Sequence, residues 1–135
     1  MAKISGGCSC GKVRFSADAD PTFVAVCHCK ACQRVSGSAF AVVIALPAPA
    51  LTVTGNVTTY DSTGDTARGV HYRFCPNCGS PITSNVDVIP DMLMIRAGAL
   101  DDPRWVKPGM EIYCDSKQPW VALGGDLKSF PKMPG

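Results

Sequence analysis

The sequence predicts a mainly β domain of short antiparallel strands, held by zinc-binding knuckles and carrying little helix. Three observations lead there. Thirteen glycines and eleven prolines cut the 135 residues into short segments rich in Val, Ile, Thr and aromatics, the pattern of strands joined by turns. Seven of the eight cysteines fall into three tight clusters, Cys8–Cys10, Cys27–Cys32 and Cys75–Cys78. Only Lys30 to Val35 reads as a short helix.

Taken in order, Lys12-Val13-Arg14-Phe15-Ser16 alternates polar with apolar residues, so Val13 and Phe15 share a buried face. The run Ala39 to Leu46 reads as a strand buried on both sides, although its length also suits a buried helix. Leu51–Thr54, Val57–Tyr60 and Val70–Phe74 are further strands, with turns at Gly55-Asn56 and around Gly64-Asp65. Met92–Ile95 and Met110–Tyr113 complete the set. Lys128 to Gly135 holds two prolines and is expected to run over the surface as a tail. With no repeat or linker, residues 1–135 read as a single domain with its core at about 6–120.

Composition excludes several function classes. Thirteen basic residues stand against eleven acidic ones, and no Lys/Arg run or basic stripe with interleaved aromatics provides the footprint of a nucleic-acid binder. The longest apolar run, Ala39 to Ala50, is broken by Pro47 and Pro49 and is too short to span a bilayer. Met1 to Gly7 has no apolar stretch of the secretory type. A cytoplasmic protein is expected. Two zinc ions bound through seven thiolates would shift the formal charge of +2 to about −1.

Eight cysteines could instead form a disulfide framework. A 46% hydrophobic composition provides an ordinary core without staples, and cysteines one residue apart are badly placed to bridge each other yet can face one metal. In Phe74-Cys75-Pro76-Asn77-Cys78-Gly79 the proline fixes one backbone angle and Gly79 can take the positive φ that brings N–H groups to the sulfurs. Cys8-Ser9-Cys10-Gly11 ends in the same way and is the natural partner. Four protein sulfurs make a closed, structural site.

Cys27-His28-Cys29-Lys30-Ala31-Cys32 supplies three thiolates from one short loop, leaving a fourth metal position for water or substrate, which is the mark of catalytic zinc. His28 is an alternative fourth ligand, but in an extended segment it points away from the sulfurs beside it, as a supporting or solvent-facing residue would. His71 lies in a strand pattern and reads as a packed or surface histidine. Cys114 reads as a small buried hydrophobe, with completion of the open site as the alternative.

Gly-x-Cys-x-Cys-Gly at Gly6–Gly11, Cys-His-Cys-x-x-Cys with Ser-Gly-Ser at Cys27–Ser38, and Phe-Cys-x-x-Cys-Gly-Ser at Phe74–Ser80 occur in this order, followed by Lys117-Gln118-Pro119-Trp120. Over Gly6 to Trp120 the chain resembles the glutathione-dependent formaldehyde-activating enzyme family, which includes centromere protein V relatives. The resemblance implies an Mss4-like fold, a structural zinc on Cys8, Cys10, Cys75 and Cys78, and a catalytic zinc on Cys27, Cys29 and Cys32. It also implies a carbon–sulfur lyase-type activity that joins glutathione to formaldehyde as S-hydroxymethylglutathione. A thiol in the open position would lose its proton more easily, and thiolate is the nucleophile. Arg34, Lys117 and Trp120 are the expected glutathione contacts, with Arg68 and Arg73 as further candidates for its carboxylates. The chain departs from the family where Glu111-Ile112 stands in place of a frequent histidine. The rival expectations are a glutathione carrier without turnover and a zinc-stabilised protein-interaction module.

Overall fold

The computed structural model describes residues 3–63 and 69–134, which form eleven strands in two sheets with one short α-helix. Strands β1 (Lys3–Gly7), β2 (Arg14–Asp18) and β5 (Leu51–Thr54) make a three-stranded antiparallel sheet. The larger sheet uses β3 (Phe23–Cys27), β4 (Ala41–Pro47), β6 (Thr58–Thr63), β7 (Gly69–Phe74), β8 (Pro81–Val86), β9 (Met92–Arg96), β10 (Met110–Ile112) and β11 (Lys128–Ser129). Its spatial order is β11-β10-β3-β4-β9-β8-β7-β6. Helix α1 (Lys30–Ser36) follows β3 and stops at Gly37, whose φ of 64° suits a left-handed cap.

Alternation along the strands divides the core in two. Ile44 and Leu46 of β4, Ile82 of β8 and Ile95 of β9 are fully buried and pack with Ile4, Val13 and Phe15 of the smaller sheet region. Each such side chain contributes about 1.5–3 kcal/mol. On the other face Ala25, Cys27, Ala41, Val43, Met94 and Ile112 form a second cluster with Cys32 of α1. Strand β4 is thus buried on both faces, as its continuous apolar run predicts. Gly6 is required by close approach, since a Cβ there would sit 2.2 Å from the Ala99 carbonyl oxygen.

The strands read from sequence form, together with β1, β3, β8 and β11. The sheets are not wholly antiparallel, because β10 runs parallel to both β3 and β11. The C-terminal tail lies at the surface and is bonded along β10. After β11, the Phe130 N–H donates to Glu111 O at 3.0 Å, while the N–H groups of Cys114 and Tyr113 donate to Phe130 O and Lys132 O at 3.0 and 3.2 Å. Phe130 and Met133 pack on the second apolar cluster. Unpaired backbone groups beside β10 and two large apolar side chains explain the docking. The expected turn around Gly64-Asp65 and Arg68 lie outside the described residues. Among the described residues no helix is long and apolar enough to cross a membrane.

Candidate metal centres and the adjoining cavity

The turn after β1 and the turn after β7 bring four sulfurs together. Gly11 and Gly79 take φ of 81° and 79°, and their N–H groups donate to Cys8 O and Cys75 O at 3.1 and 2.8 Å. The sulfurs of Cys8, Cys10, Cys75 and Cys78 all lie within 4.8 Å of one another. Two of the separations are 3.6 Å, Cys8 to Cys10, and 3.7 Å, Cys10 to Cys75. Sulfurs set tetrahedrally at about 2.3 Å from zinc lie about 3.8 Å apart, so the donor set fits that ion. The Val13 N–H donates to Cys8 Sγ at 3.3 Å. Ser80 Oγ lies 3.3 Å from Cys78 Sγ and accepts the Ser9 N–H at 3.0 Å. The Ser80 hydroxyl, followed by the N–H groups of Ser80 and Cys10, holds the Cys78 thiol down at about 5, which favours thiolate.

A second set forms where β3 hands over to α1. Cys29 is the helix N-cap, with φ −61° and ψ 152°, and its Sγ accepts the Cys32 N–H at 3.3 Å. Cys27, Cys29 and Cys32 place their sulfurs within 4.8 Å of one another, with no fourth cysteine in the group. Contacts from the Cys27 and Cys32 thiols, then backbone N–H groups of Cys32 and Ala31, bring Cys29 down to about 3. Cys27 is pushed upward by donating to Cys29 and Cys32 and by burial. Three clustered soft donors again suit zinc.

These sulfurs face a cavity of about 410 Å³ on the outer face of the large sheet. Val43, Val70, Val86 and Met94 make apolar wall, Tyr72, Ser84 and Arg96 add polar groups, and Tyr113, Lys132 and Met133 bring the C-terminal region to its rim.

Behind the loop, His28 is 0% exposed and faces away from the three sulfurs toward a carboxylate. Its Nε2 lies 2.9 Å from Glu111 Oε1, which also accepts Lys117 Nζ at 3.0 Å, while Ser129 Oγ donates to Oε2 at 2.8 Å. Burial pushes the Glu111 carboxyl up, but the Ser129, Lys117 and His28 donors outweigh it and hold the group at about 2. His28 is therefore buried against Glu111 and not solvent-facing. Cys114 groups with His28 and Glu111, its thiol donating to Glu111 O at 3.7 Å, and not with Cys27, Cys29 and Cys32.

The other sequence candidates are dispersed. Arg34 is exposed in the last turn of α1, Trp120 is 71% exposed, and Lys117 is engaged by Glu111. None of the three lines the cavity. Arg73 donates to Asn85 Oδ1 at 2.7 Å. His71 sits between Asp61 and Asp87 at 2.6 and 2.8 Å, and those two carboxylates, Asp61 first, raise its pKa. Sequence reasoning missed Arg96, Lys132 and Met133. For Arg96 a signal was present, since it lies two residues beyond Met94 and so on the same face of one strand.

A protein-family model described as "Glutathione-dependent formaldehyde-activating enzyme" matches residues 3–116. Among solved structures, the crystal structure of a Rhodobacter sphaeroides protein is similar at 24% identity and a TM-score of 0.59, covering 77% of this chain and 91% of that one. That likeness shows a shared fold. No curated protein matches the chain.

Proposed function

Because the chain belongs to the glutathione-dependent formaldehyde-activating enzyme family, which it matches over residues 3–116, we propose that it is a zinc-dependent carbon–sulfur lyase-type enzyme joining glutathione to a small aldehyde. The observation that carries this reading is the set of three sulfurs, one short of a closed site, opening on a cavity of about 410 Å³. Zinc bound there would lower the proton affinity of a thiol reaching its fourth position. Cys27, Cys29 and Cys32 are the ligands, and Cys8, Cys10, Cys75 and Cys78 hold a second, structural ion.

The chain's own residues supply the rest. The Cys32 N–H fixes Cys29, and Glu111 fixes His28 between two ligands, so the loop is preorganised. Apolar wall from Val43, Val70 and Met94 limits water around the reacting atoms. As the S–C bond forms, the carbonyl π pair moves to oxygen, which then takes a proton to give the hydroxymethyl product. Tyr72 lines the cavity and is pushed up to about 12 by burial and by the nearby Cys32 and Cys29. It stays a phenol at neutral pH and can donate a hydrogen bond to that oxygen.

Three measurements test the proposal. A chelator acting on the loaded protein is expected to release one fast and one slow zinc equivalent, because only the three-sulfur site has an open position from which displacement can begin. One equivalent, or two identical phases, contradicts the assignment. In calorimetry glutathione is expected to bind with release of a proton, and S-methylglutathione about tenfold or more weakly. Equal affinities remove the zinc–thiol mechanism. Formation of S-hydroxymethylglutathione is expected to exceed the uncatalysed rate in proportion to protein; saturable binding without that acceleration makes the chain a carrier.

A further inference from the structure

The cavity beside Cys27, Cys29 and Cys32 has an unusual charge inventory. Four of its lining residues are charged: Lys30, Arg96, Asp115 and Lys132. Lys132 Nζ and Asp115 Oδ2 pair at 3.1 Å. Lys30 is exposed at the start of α1. Arg96 is different, being half-buried at the end of β9 with Val43 beside it on β4 and Ser84 within reach on β8. Its Nη1 donates to the neutral Ser84 hydroxyl at 3.0 Å, while its Nε is buried with no hydrogen-bond partner among the described residues. No carboxylate among the described residues forms an ion pair with it.

A guanidinium cannot shed its charge by losing a proton. Withdrawing it from water therefore leaves a cost that an anion with two acceptor oxygens would offset. The sulfur cluster does not fill this role: three thiolates around a dication carry one net negative charge, but none of them hydrogen-bonds Nε. Beside Arg96 the wall combines apolar Val43, Val86 and Met94 with the neutral hydroxyls of Ser84 and Tyr72. Such a surface accepts a hydrocarbon spacer and rejects further charge.

We infer that Arg96 is the carboxylate anchor of this cavity, so that the preferred substrate is an acidic thiol whose sulfur reaches the three-cysteine centre while its carboxylate sits on the guanidinium. The inference rests on the reading that this centre takes a thiol. It assigns specificity to Arg96 instead of Arg34, which lies outside the cavity wall.

The test uses the zinc-loaded chain and three probes in calorimetry: mercaptohexanoate, mercaptohexanol and thiol-free hexanoate. In the unmodified protein the acid is expected to bind about tenfold or more tightly than the alcohol, and Arg96→Met is expected to bring the ratio to about one. Zinc content and melting temperature, measured alongside, report whether the variant is intact. Equal affinities in the unmodified protein overturn the inference, as does a preference that survives Arg96→Met. If Arg96→Met does not fold, Arg96→Lys takes its place, keeping the charge but not the fork. It is expected to lose most of the preference, and full retention overturns the proposal. Hexanoate separates the two layers of the argument. Binding of hexanoate to the unmodified protein but not to Arg96→Met, with neither thiol binding through sulfur, leaves the anion anchor standing and removes the thiol reading. Failure of all three probes removes the anchor.

Discussion

Replacing Cys75 by serine is expected to leave the chain unfolded or insoluble, whereas Cys29→Ser stays folded. Cys75 is 1% exposed and belongs to the main apolar cluster. Through Cys10 and Cys8 its site ties the turn after β1 to the turn after β7, across 65 residues of chain. Structural zinc contributes on the order of 10 kcal/mol or more to folding, comparable to the whole stability of a domain. Serine at 75 removes a thiolate ligand and buries a hydroxyl in its place. The Cys29 site joins only a strand end to the helix that follows it, and serine is itself a good N-cap for that helix. Circular dichroism and thermal melting of the two variants decide the matter. If Cys29→Ser unfolds as severely as Cys75→Ser, the three-sulfur centre is structural and the catalytic reading loses its basis.

Glu111→Ala is expected to cost about 3–5 kcal/mol, the loss typical of breaking a buried charged network by removing one member. The carboxylate takes three donors, from His28, Lys117 and Ser129. Among the described residues His28 would be left with neither ring nitrogen bonded, since its Nδ1 already has no partner there. A carboxyl held at about 2 contributes stability that is fully present above the ordinary carboxylate range and is lost as pH falls from about 4.5 toward 2. At neutral pH the full effect therefore registers, as a melting temperature lower by about 10–18 °C. Glu111→Gln keeps the shape but cannot match Lys117, and an intermediate drop is expected. A melting temperature for Glu111→Ala within a degree or two of the unmodified chain refutes the network's importance.

Both sulfur clusters were legible in the sequence because their geometry is mostly local. A Cys-x-Cys or Cys-x-x-Cys turn closed by glycine fixes where its sulfurs point, and the two four-sulfur halves share that form. Strand β4 was legible for the same reason, its apolar run being continuous from Ala39 to Leu46. Strand β8 was harder: it opens on Pro81 and carries Thr83, Ser84 and Asn85, and its pairing with β7 and β9 decides its conformation. Other features were invisible because they join distant residues. His28 and Glu111 are 83 residues apart, and the parallel register Glu111↔Val26 brings them together. The docked tail likewise depends on the free edge of β10, which no local pattern announces. Arg96 was overlooked because an arginine ending an apolar strand looks like a solvated terminus until the sheet on either side is assembled.

The order of strands in the large sheet also dictates the order in which a ribosome can deliver its parts. Cys27, Cys29 and Cys32 leave the exit tunnel together, so the nascent chain can capture an ion there before Cys75 and Cys78 exist. The neighbours that finish this centre come last: Glu111 on β10 and Ser129 on β11, which completes the sheet edge. At translation rates of about 5–20 residues per second, roughly 5–20 s separate the first of these events from the last. Through that interval the three-sulfur loop stands without Lys132 and Met133 on its cavity wall, and a chain released short of β11 would keep the three sulfurs and Arg96 while lacking that part of the wall.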